Sequence, residues 1–326
     1  SCRPLGRVRI FRNFTHSYSM SISQILNNSH LGLARSACLL GGALWGAYWI
    51  PLRHLDTAGF SGTLAAGLIH IIPALILVPL MIFRYQSVRR GGIALQATGA
   101  AMGLALLLYS TAFLYTDVIR ATLLYYLTPV WGALIARVWL FEKISGDRVF
   151  GIALGFAGML VIFNVDEGIP LPRNTGDWMG LASGIIWAIA ATLARRFPDQ
   201  PAIDVVTSWM VWASVLAILA LAILPANINI PPAETFMSVM PWLIPLSLGV
   251  VLPVYLAITW GLPQLNPGTS GLLFMTEISV ATITAAWLTS EVIGPREIVG
   301  IVLISVAGLS EVLLPIARRV LRLSAP

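Results

Sequence analysis

The chain has 326 residues, of which 57% are hydrophobic and only 10% are charged, and its formal net charge is +6. About a quarter of the residues in an ordinary soluble domain are charged, so this composition excludes a soluble globular protein. The positive charge does not indicate nucleic-acid binding, because the cytoplasmic loops of membrane proteins collect Lys and Arg. The composition therefore predicts an all-α polytopic membrane protein.

Residues 1–30 are predicted to be an N-terminal extension. Their first part contains Arg3, Arg7, Arg9 and Arg12 but no acidic residue, and it lacks an apolar run long enough for a secretory signal. We expect the extension to be disordered, with Met20 as the natural start of translation. A transit peptide for an organelle is the alternative.

Ten apolar segments follow, each near the roughly 20 residues that a helix needs to cross a bilayer. They cover residues 33–52, 62–83, 93–115, 118–139, 148–165, 177–195, 203–224, 236–260, 268–289 and 296–316. Unpaired backbone groups are costly in lipid, so each segment is predicted to be helical.

Lys and Arg residues predict the orientation of the chain. With the N-terminus in the cytoplasm, sixteen of the 20 basic residues face inward, and only Arg53, Arg120, Arg173 and Arg296 face outward. Basic residues favour the cytoplasmic side, so both termini are predicted to be cytoplasmic. We expect the membrane to be the bacterial inner membrane or an equivalent plasma membrane.

The two halves of the chain resemble each other. Leu39, Gly42, Trp45 and Arg53 align with Leu181, Gly184, Trp187 and Arg195, and Glu142 and Gly151 align with Glu291 and Gly300. This pattern predicts two repeats, at residues 31–168 and 174–318. Each repeat holds five segments, and because five is odd, the second repeat must be inverted in the membrane. Inverted repeats are typical of secondary transporters, whose substrate sites lie near mid-membrane.

At these positions the sequence resembles the EamA family of the drug/metabolite transporter superfamily. The resemblance covers residues 35–316 and is carried by Gly-x-x-Trp-Gly at 42–46, Leu-x-Pro at 127–129, Glu142 and the glycine-rich fifth segment. The ninth segment departs from the pattern, with Glu277 where Thr128 stands and Ile278 where Pro129 stands. The resemblance implies ten helices around a central cavity lined by segments 1, 3, 4, 6, 8 and 9. It also implies transport of small metabolites, often the export of amino acids.

Glu277 is the strongest candidate site residue, because it is the one acid within the apolar stretch LLFMTEISVAT. An ionised side chain at the centre of a membrane helix costs about 2.5–3.5 kcal/mol. Keeping an ordinary glutamic acid protonated at neutral pH costs about 3.7 kcal/mol. The two costs are comparable, which favours a role in proton coupling or in binding an ammonium group. A protonated, purely structural glutamic acid is the alternative.

Aromatic residues on the segments assigned to the cavity are the second group of candidates. The predicted substrate-binding residues are Trp45, Tyr48, Tyr109, Tyr125, Thr128, Trp187, Tyr255 and Glu277. Pro129 is predicted to be a hinge, because proline bends a helix and frees a carbonyl. The alternative for the aromatic residues is simple packing or anchoring at the membrane interface. We expect His70 to be a packing residue and Arg120 to pair with Asp117.

These features predict a secondary transporter of small metabolites, such as amino acids, that works by alternating access. No cofactor, metal site or catalytic motif is expected, because the chain lacks a Walker loop, a Gly-x-Ser-x-Gly elbow and metal-ligand spacing around Cys2 and Cys38. Carriers of sugars or nucleotide sugars and multidrug exporters are alternatives of the same fold. A passive channel and an intramembrane enzyme are alternatives of other classes. The expected partners are the substrate, the lipid bilayer and a proton.

Overall fold

The computed structural model describes residues 22–60, 62–113, 115–116, 118–163, 171–223, 231–288 and 294–323, with side chains for most of them. Over these ranges the chain is helical with short connections, and the described residues form no β-strand. The first helix begins at Ile22, within the predicted N-terminal extension. The remainder of that extension, residues 1–21, lies outside the described residues.

The described helices number fourteen, and several are parts of one longer, interrupted helix. They are α1 Ile22–Gly46, α2 Trp49–Thr57, α3 Gly62–Phe83, α4 Tyr85–Ala112, α5 Val118–Tyr125, α6 Thr128–Trp139, α7 Gly146–Phe163, α8 Thr175–Arg196, α9 Ala202–Ile223, α10 Ala233–Leu246, α11 Leu252–Gly261, α12 Pro267–Phe274, α13 Thr276–Leu288 and α14 Pro295–Leu323. A π-helical turn, Ser247–Val251, joins α10 to α11, and a 3₁₀ turn, Leu262–Gln264, follows α11.

Seven helical stretches of the described chain are long and apolar enough to cross a membrane. They cover residues 63–83, 85–112, 120–139, 175–196, 202–223, 233–264 and 267–288, and each coincides with a predicted segment. The other three predicted segments coincide with α1 and α2, with α7, and with α14. The protein is therefore a multi-pass helical membrane protein, and the total of ten crossings stays a prediction.

Two of the predicted segments are interrupted near their middle by a non-helical turn. Segment 118–139 breaks between α5 and α6 at residues 126 and 127, and segment 268–289 breaks between α12 and α13 at Met275. In the first break Pro129 lacks the N–H that would bond to the carbonyl of Tyr125. The hydroxyl group of Thr128 donates to that carbonyl instead, at 2.5 Å. The interruption thus leaves no unpaired acceptor at this position, as an apolar environment requires.

Small residues allow the neighbouring helices to approach both breaks. A Cβ atom on Gly184 of α8 would lie 2.5 Å from the carbonyl oxygen of Tyr125. A Cβ atom on Gly46 of α1 would lie 2.5 Å from the carbonyl oxygen of Glu277. Such close helix contacts are the usual function of glycine in membrane helices. They bring α8 against the first break and α1 against the second, where the candidate site lies.

We expect Gly46→Ala to lower the melting temperature of the detergent-solubilised protein, because its new methyl group must push α1 away from α13. Overpacking of this kind typically costs about 1–3 kcal/mol. Gly32→Ala is the matched control on the same helix, because nothing lies within 4 Å of its Cβ position. If the two variants melted at the same temperature, the close contact between α1 and α13 would be contradicted.

Candidate functional site

A cavity of about 70 Å³ lies inside the bundle, between the two interrupted helices and their neighbours. Its walls come from α1, α2, α4, α5, α8, α11 and α13 and from the short turn between α1 and α2. The lining residues are Trp45, Tyr48, Leu52, Ala105, Leu106, Tyr109, Ser110, Phe113, Tyr125, Trp187, Tyr255 and Glu277. The volume is below the roughly 300–1,000 Å³ of pockets for drug-sized ligands, so this conformation suits a small molecule.

The structure brings together nearly all of the residues predicted to bind substrate. Trp45, Tyr48, Tyr109, Tyr125, Trp187, Tyr255 and Glu277 all line this one cavity. Thr128 does not line it: the residue is buried behind Tyr125, and its hydroxyl group bonds to the backbone of α5 and α8. Pro129 is also buried and stands in the first turn of α6, directly after the helix break.

The aromatic side chains support one another by edge and face contacts. The ring of Trp45 lies 5.2 Å from that of Trp187 and 5.9 Å from that of Tyr255, both nearly perpendicular. The ring of Tyr109 lies 4.4 Å from that of Tyr125. Contacts of this kind contribute about 0.5–1.5 kcal/mol each beyond the buried area. Behind this wall, Trp209 stacks on Tyr255 at 4.2 Å.

Glu277 supplies the one acidic side chain among the lining residues, and no Lys, Arg or His lines the cavity within the described part of the chain. The hydroxyl group of Tyr126 faces the Glu277 carboxyl group. Tyr109, Tyr125 and Tyr255 lie within electrostatic range of the same carboxyl group. The acid therefore points into the protein interior and not toward lipid, as is usual for functional acids in membranes.

Two polar groups at the cavity have no hydrogen-bond partner among the described residues, the hydroxyl group of Tyr48 and the indole N–H of Trp187. Buried polar groups are normally paired, so unpaired groups that line a cavity are natural contacts for a ligand or for water. Tyr255 is different, because its hydroxyl group lies 3.1 Å from Nε2 of His70. Nδ1 of His70 lies 2.7 Å from the carbonyl oxygen of Ala66, which can only accept a proton. His70 is thus a hydrogen-bonded packing residue, as predicted, and it holds Tyr255 in place.

Comparison with known proteins identifies the family. A model of the EamA-like transporter family matches residues 33–164 and again residues 174–310. The chain belongs to the EamA-like transporter family. It is 22% identical over 215 residues to an uncharacterized transporter of Clostridium kluyveri, a match that covers 64% of this chain and 68% of that protein. It is 27% identical over 116 residues to the uncharacterized transporter YyaM of Bacillus subtilis, over 34% of this chain and 38% of that protein.

A solved crystal structure of another protein shares the fold of this EamA-like chain. The two structures align with a TM-score of 0.68 over 90% of this chain and 99% of the other, at 19% sequence identity. An identity this low supports a common fold and nothing more. Together with the family match, the fold supports a membrane transporter, and the descriptions of the relatives name no substrate.

A polar cluster that the sequence did not predict joins the ends of several helices at one end of the bundle. Nε of Arg195, at the end of α8, lies 3.1 Å from Oε1 of Glu142, which follows α6. The amide group of Asn266 donates to the other carboxylate oxygen of Glu142, and Arg195 also donates to the carbonyl oxygen of Pro263 at 2.8 Å. Phe141 adopts a left-handed backbone with φ of 56°, which turns the chain at the end of α6 and presents Glu142 to this cluster. We call this cluster the Glu142 latch.

The opposite end of α8 carries a second ion pair. Asp177 is fully buried there, and its carboxylate binds Nη2 of Arg120 at 2.5 Å and the hydroxyl group of Thr116 at 2.6 Å. The expected partner of Arg120, Asp117, lies outside the described residues. The cavity extends from Trp187, in the middle of α8, to Phe113 near this end. The Glu142 latch is therefore at the end away from the cavity.

Sequence reasoning missed five lining residues, which are small, aliphatic or, in the case of Phe113, aromatic. Ala105, Leu106, Ser110 and Phe113 surround Tyr109 on one face of α4, and Leu52 follows Tyr48 by one helical turn. Residues three and four positions apart share a helix face, so this spacing was the available signal. It was not decisive, because apolar residues occur on every face of a membrane helix.

We expect a cysteine introduced by Ser110→Cys to react with a small water-soluble thiol reagent, in a protein whose own cysteines are removed by Cys2→Ser and Cys38→Ala. Ser110 lines the cavity and is only half-buried. Ser183→Cys on α8 is the matched control, because Ser183 is fully buried and outside the lining. Labelling is measured by mass spectrometry of the intact protein. Equal labelling of the two cysteines would show that the cavity does not admit water-soluble molecules.

Proposed function

We propose that the protein is a secondary transporter that moves small metabolites bearing an amino group, such as amino acids, by alternating access around this cavity. One observation carries the proposal: a single carboxylic acid, Glu277, lies among aromatic side chains in a cavity bounded by both halves of the chain. Trp45, Tyr48, Tyr109, Tyr125, Trp187 and Tyr255 form the rest of the substrate site. Thr128 supports Tyr125 from behind, and Pro129 acts as the hinge of the first interrupted helix.

Ten crossings arranged as two inverted repeats are part of this proposal, and the helix contacts support them. The helices of the first half recur in the same order in the second half. The corresponding elements are α1 and α2 with α8, α3 with α9, α4 with the helix formed by α10 and α11, α5 and α6 with α12 and α13, and α7 with α14. Equivalent helices pack on each other in the pairs α3 with α9 and α7 with α14, and the two interrupted helices pack on each other through α6 and α12. Contact of α4 with α8 is matched by contact of α11 with α1. A two-fold axis in the membrane plane produces this pattern.

The two threonines at the helix breaks support the same symmetry. The hydroxyl group of Thr128 lies 2.5 Å from the carbonyl oxygen of Tyr125 and 3.3 Å from that of Gly184 on α8. The hydroxyl group of Thr276 lies 2.9 Å from the carbonyl oxygen of Leu273 and 3.0 Å from that of Leu39 on α1. With Thr276 as the equivalent of Thr128, Glu277 takes the place of Pro129. This equivalence is shifted by one position from the sequence alignment, in which Glu277 stands where Thr128 does.

The charge distribution supports an orientation for the cycle. Arg195 and Glu142 lie at the end where Arg137, Lys143 and Arg148 cluster, and basic residues favour the cytoplasm. In this proposal the Glu142 latch closes the cytoplasmic end, the cavity extends toward the outside, and both termini are cytoplasmic in a bacterial inner membrane or its equivalent. The latch joins the two proposed repeats, 31–168 and 174–318, because Glu142 belongs to one and Arg195 and Asn266 to the other. It must break before the cavity can open inward.

Glu277→Gln is expected to remove the pH dependence of transport and to lower its rate by at least about tenfold, because the amide keeps the shape but binds no proton. Counterflow of a panel of radiolabelled amino acids and amines into preloaded proteoliposomes, between about pH 5 and 8, measures this effect. The titratable groups around Glu277 are Tyr109, Tyr125, Tyr126 and Tyr255, with His70 behind Tyr255. The tyrosines do not titrate in this range, so a pH dependence that survived in Glu277→Gln would remove Glu277 from the coupling step.

Glu234→Gln is the matched control, because Glu234 is exposed at the start of α10 and does not line the cavity. It should transport like the unchanged protein.

Counterflow also separates the proposed carrier from a channel, since only transport by a carrier is accelerated by substrate on the opposite side of the membrane. Uptake without such acceleration in the unchanged protein would exclude alternating access.

We expect Glu142→Gln to favour the conformation that is open to the cytoplasm. The ion pair with Arg195 is partly exposed, so its loss is worth about 1 kcal/mol, or roughly a fivefold shift between conformations. Reaction of a cysteine introduced at Thr259, which lies near this end, with a thiol reagent inside vesicles measures the shift. Arg195→Gln should produce the same shift, and the double variant should add little to either. Additive effects of the two substitutions would contradict a shared latch.

A further inference from the structure

We propose that the cavity selects organic cations, such as protonated amines without a carboxylate, over zwitterionic amino acids. This inference rests on the proposed transport function and narrows its substrate class. It follows from three features of the lining: the number of aromatic faces, the single acidic side chain and the lack of a basic one among the described residues.

Aromatic residues are the most frequent type in the cavity lining. Seven of the twelve lining residues are aromatic, namely Trp45, Tyr48, Tyr109, Phe113, Tyr125, Trp187 and Tyr255. The face of an aromatic ring carries partial negative charge, and cages of such rings bind ammonium groups in water-poor sites. The rings of Trp187 and Tyr255 are inclined to that of Trp45 by 66° and 85°, so the aromatic faces of the lining point in different directions.

Charge balance favours a cation over a zwitterion. An ionised Glu277 and one bound ammonium group together carry no net charge, and the pair is strengthened by the low dielectric of the interior. A zwitterionic amino acid would bring a second carboxylate into the same space. No Lys, Arg or His among the described lining residues can neutralise it. The unpaired hydroxyl group of Tyr48 and N–H of Trp187 can donate hydrogen bonds to a ligand, but they supply no positive charge.

The size of the cavity sets the length of the ligand. A cavity of about 70 Å³ accommodates a few heavy atoms in this conformation, which matches a short alkylamine better than a drug-sized cation. Leu52, Leu106 and Phe113 also line the cavity and provide apolar contact for the alkyl part. The structure therefore assigns the ammonium group to Glu277 and the aromatic rings, and the alkyl group to these residues.

This assignment is tested with valine and two molecules that each lack one of its charged groups. Isobutylamine is valine without its carboxylate, and isovalerate is valine without its amino group. Isothermal titration of the purified full-length protein should show isobutylamine binding at least about tenfold more tightly than valine, with no measurable binding of isovalerate. Valine binding as tightly as isobutylamine, or any preference for isovalerate, would overturn the proposal.

Matched variants connect the binding to the site. Glu277→Gln should weaken isobutylamine binding at least about tenfold, and the exposed control Glu234→Gln should not change it. If Glu277→Gln does not fold, Tyr48→Leu takes its place: it removes one aromatic face and should lose binding, whereas the exposed control Glu234→Gln should retain it. Unchanged binding in Tyr48→Leu would overturn the cage. Isobutylamine binding without counterflow in vesicles would support the ligand class and contradict the proposed carrier, so the two failures are distinguishable.

Discussion

The structure depends on one constraint: every backbone carbonyl freed by a helix break inside the membrane must find a donor in the protein. Two threonine hydroxyl groups meet this constraint. Thr128 and Thr276 each place a hydroxyl group between a carbonyl of their own interrupted helix and a carbonyl of the helix that packs against the break. Because the neighbouring helix is part of the arrangement, a break can exist only where a glycine lets that helix come close. Gly184 and Gly46 provide these approaches.

This constraint also explains where the cavity is. A broken helix does not continue its regular surface, so space remains beside the break, and the side chains next to it turn inward. Tyr125 immediately precedes the first break, and Glu277 immediately follows the second. The last turn of α1, which carries the Gly-x-x-Trp-Gly sequence, places Trp45 beside them. The candidate site is thus formed by residues next to the two helix breaks. For this reason the sequence features that mark the breaks also mark the site.

The chemistry of the lining limits what the site can do. A hydrolytic or transfer enzyme needs a nucleophile, a base and a polarising group close together, and the described lining offers one carboxylic acid, one serine and phenolic or indole groups. No group of three or more metal-ligating side chains occurs among the described residues. Binding and release of a small polar molecule require only what is present, an acid that can exchange its partner and walls that exclude lipid. Transport, the activity indicated by the family, fits the residues observed in this lining.

Much of this protein was predictable from local pattern. Composition predicted a helical membrane protein. The lone acid Glu277 and the aromatic residues of five segments predicted most of the cavity wall, because an acid or a mid-helix Trp or Tyr in an apolar segment can be recognised from the sequence alone. Thr128 shows the limit. The sequence placed it beside Tyr125, and only the packed structure reveals that its hydroxyl group faces the backbone of α8 and not the cavity.

The tertiary structure decided the remaining features. The Glu142 latch joins residues more than 50 positions apart, and Asn266 and Pro263 enter it from a loop that has no recognisable motif. The lining leucines, alanine and serine were equally hidden, because apolar residues on the lipid face and the cavity face of a membrane helix have the same composition. The sequence by itself determines which segments are helical and which polar groups cannot face lipid. Packing at the glycines and the helix breaks then decides which of those groups meet.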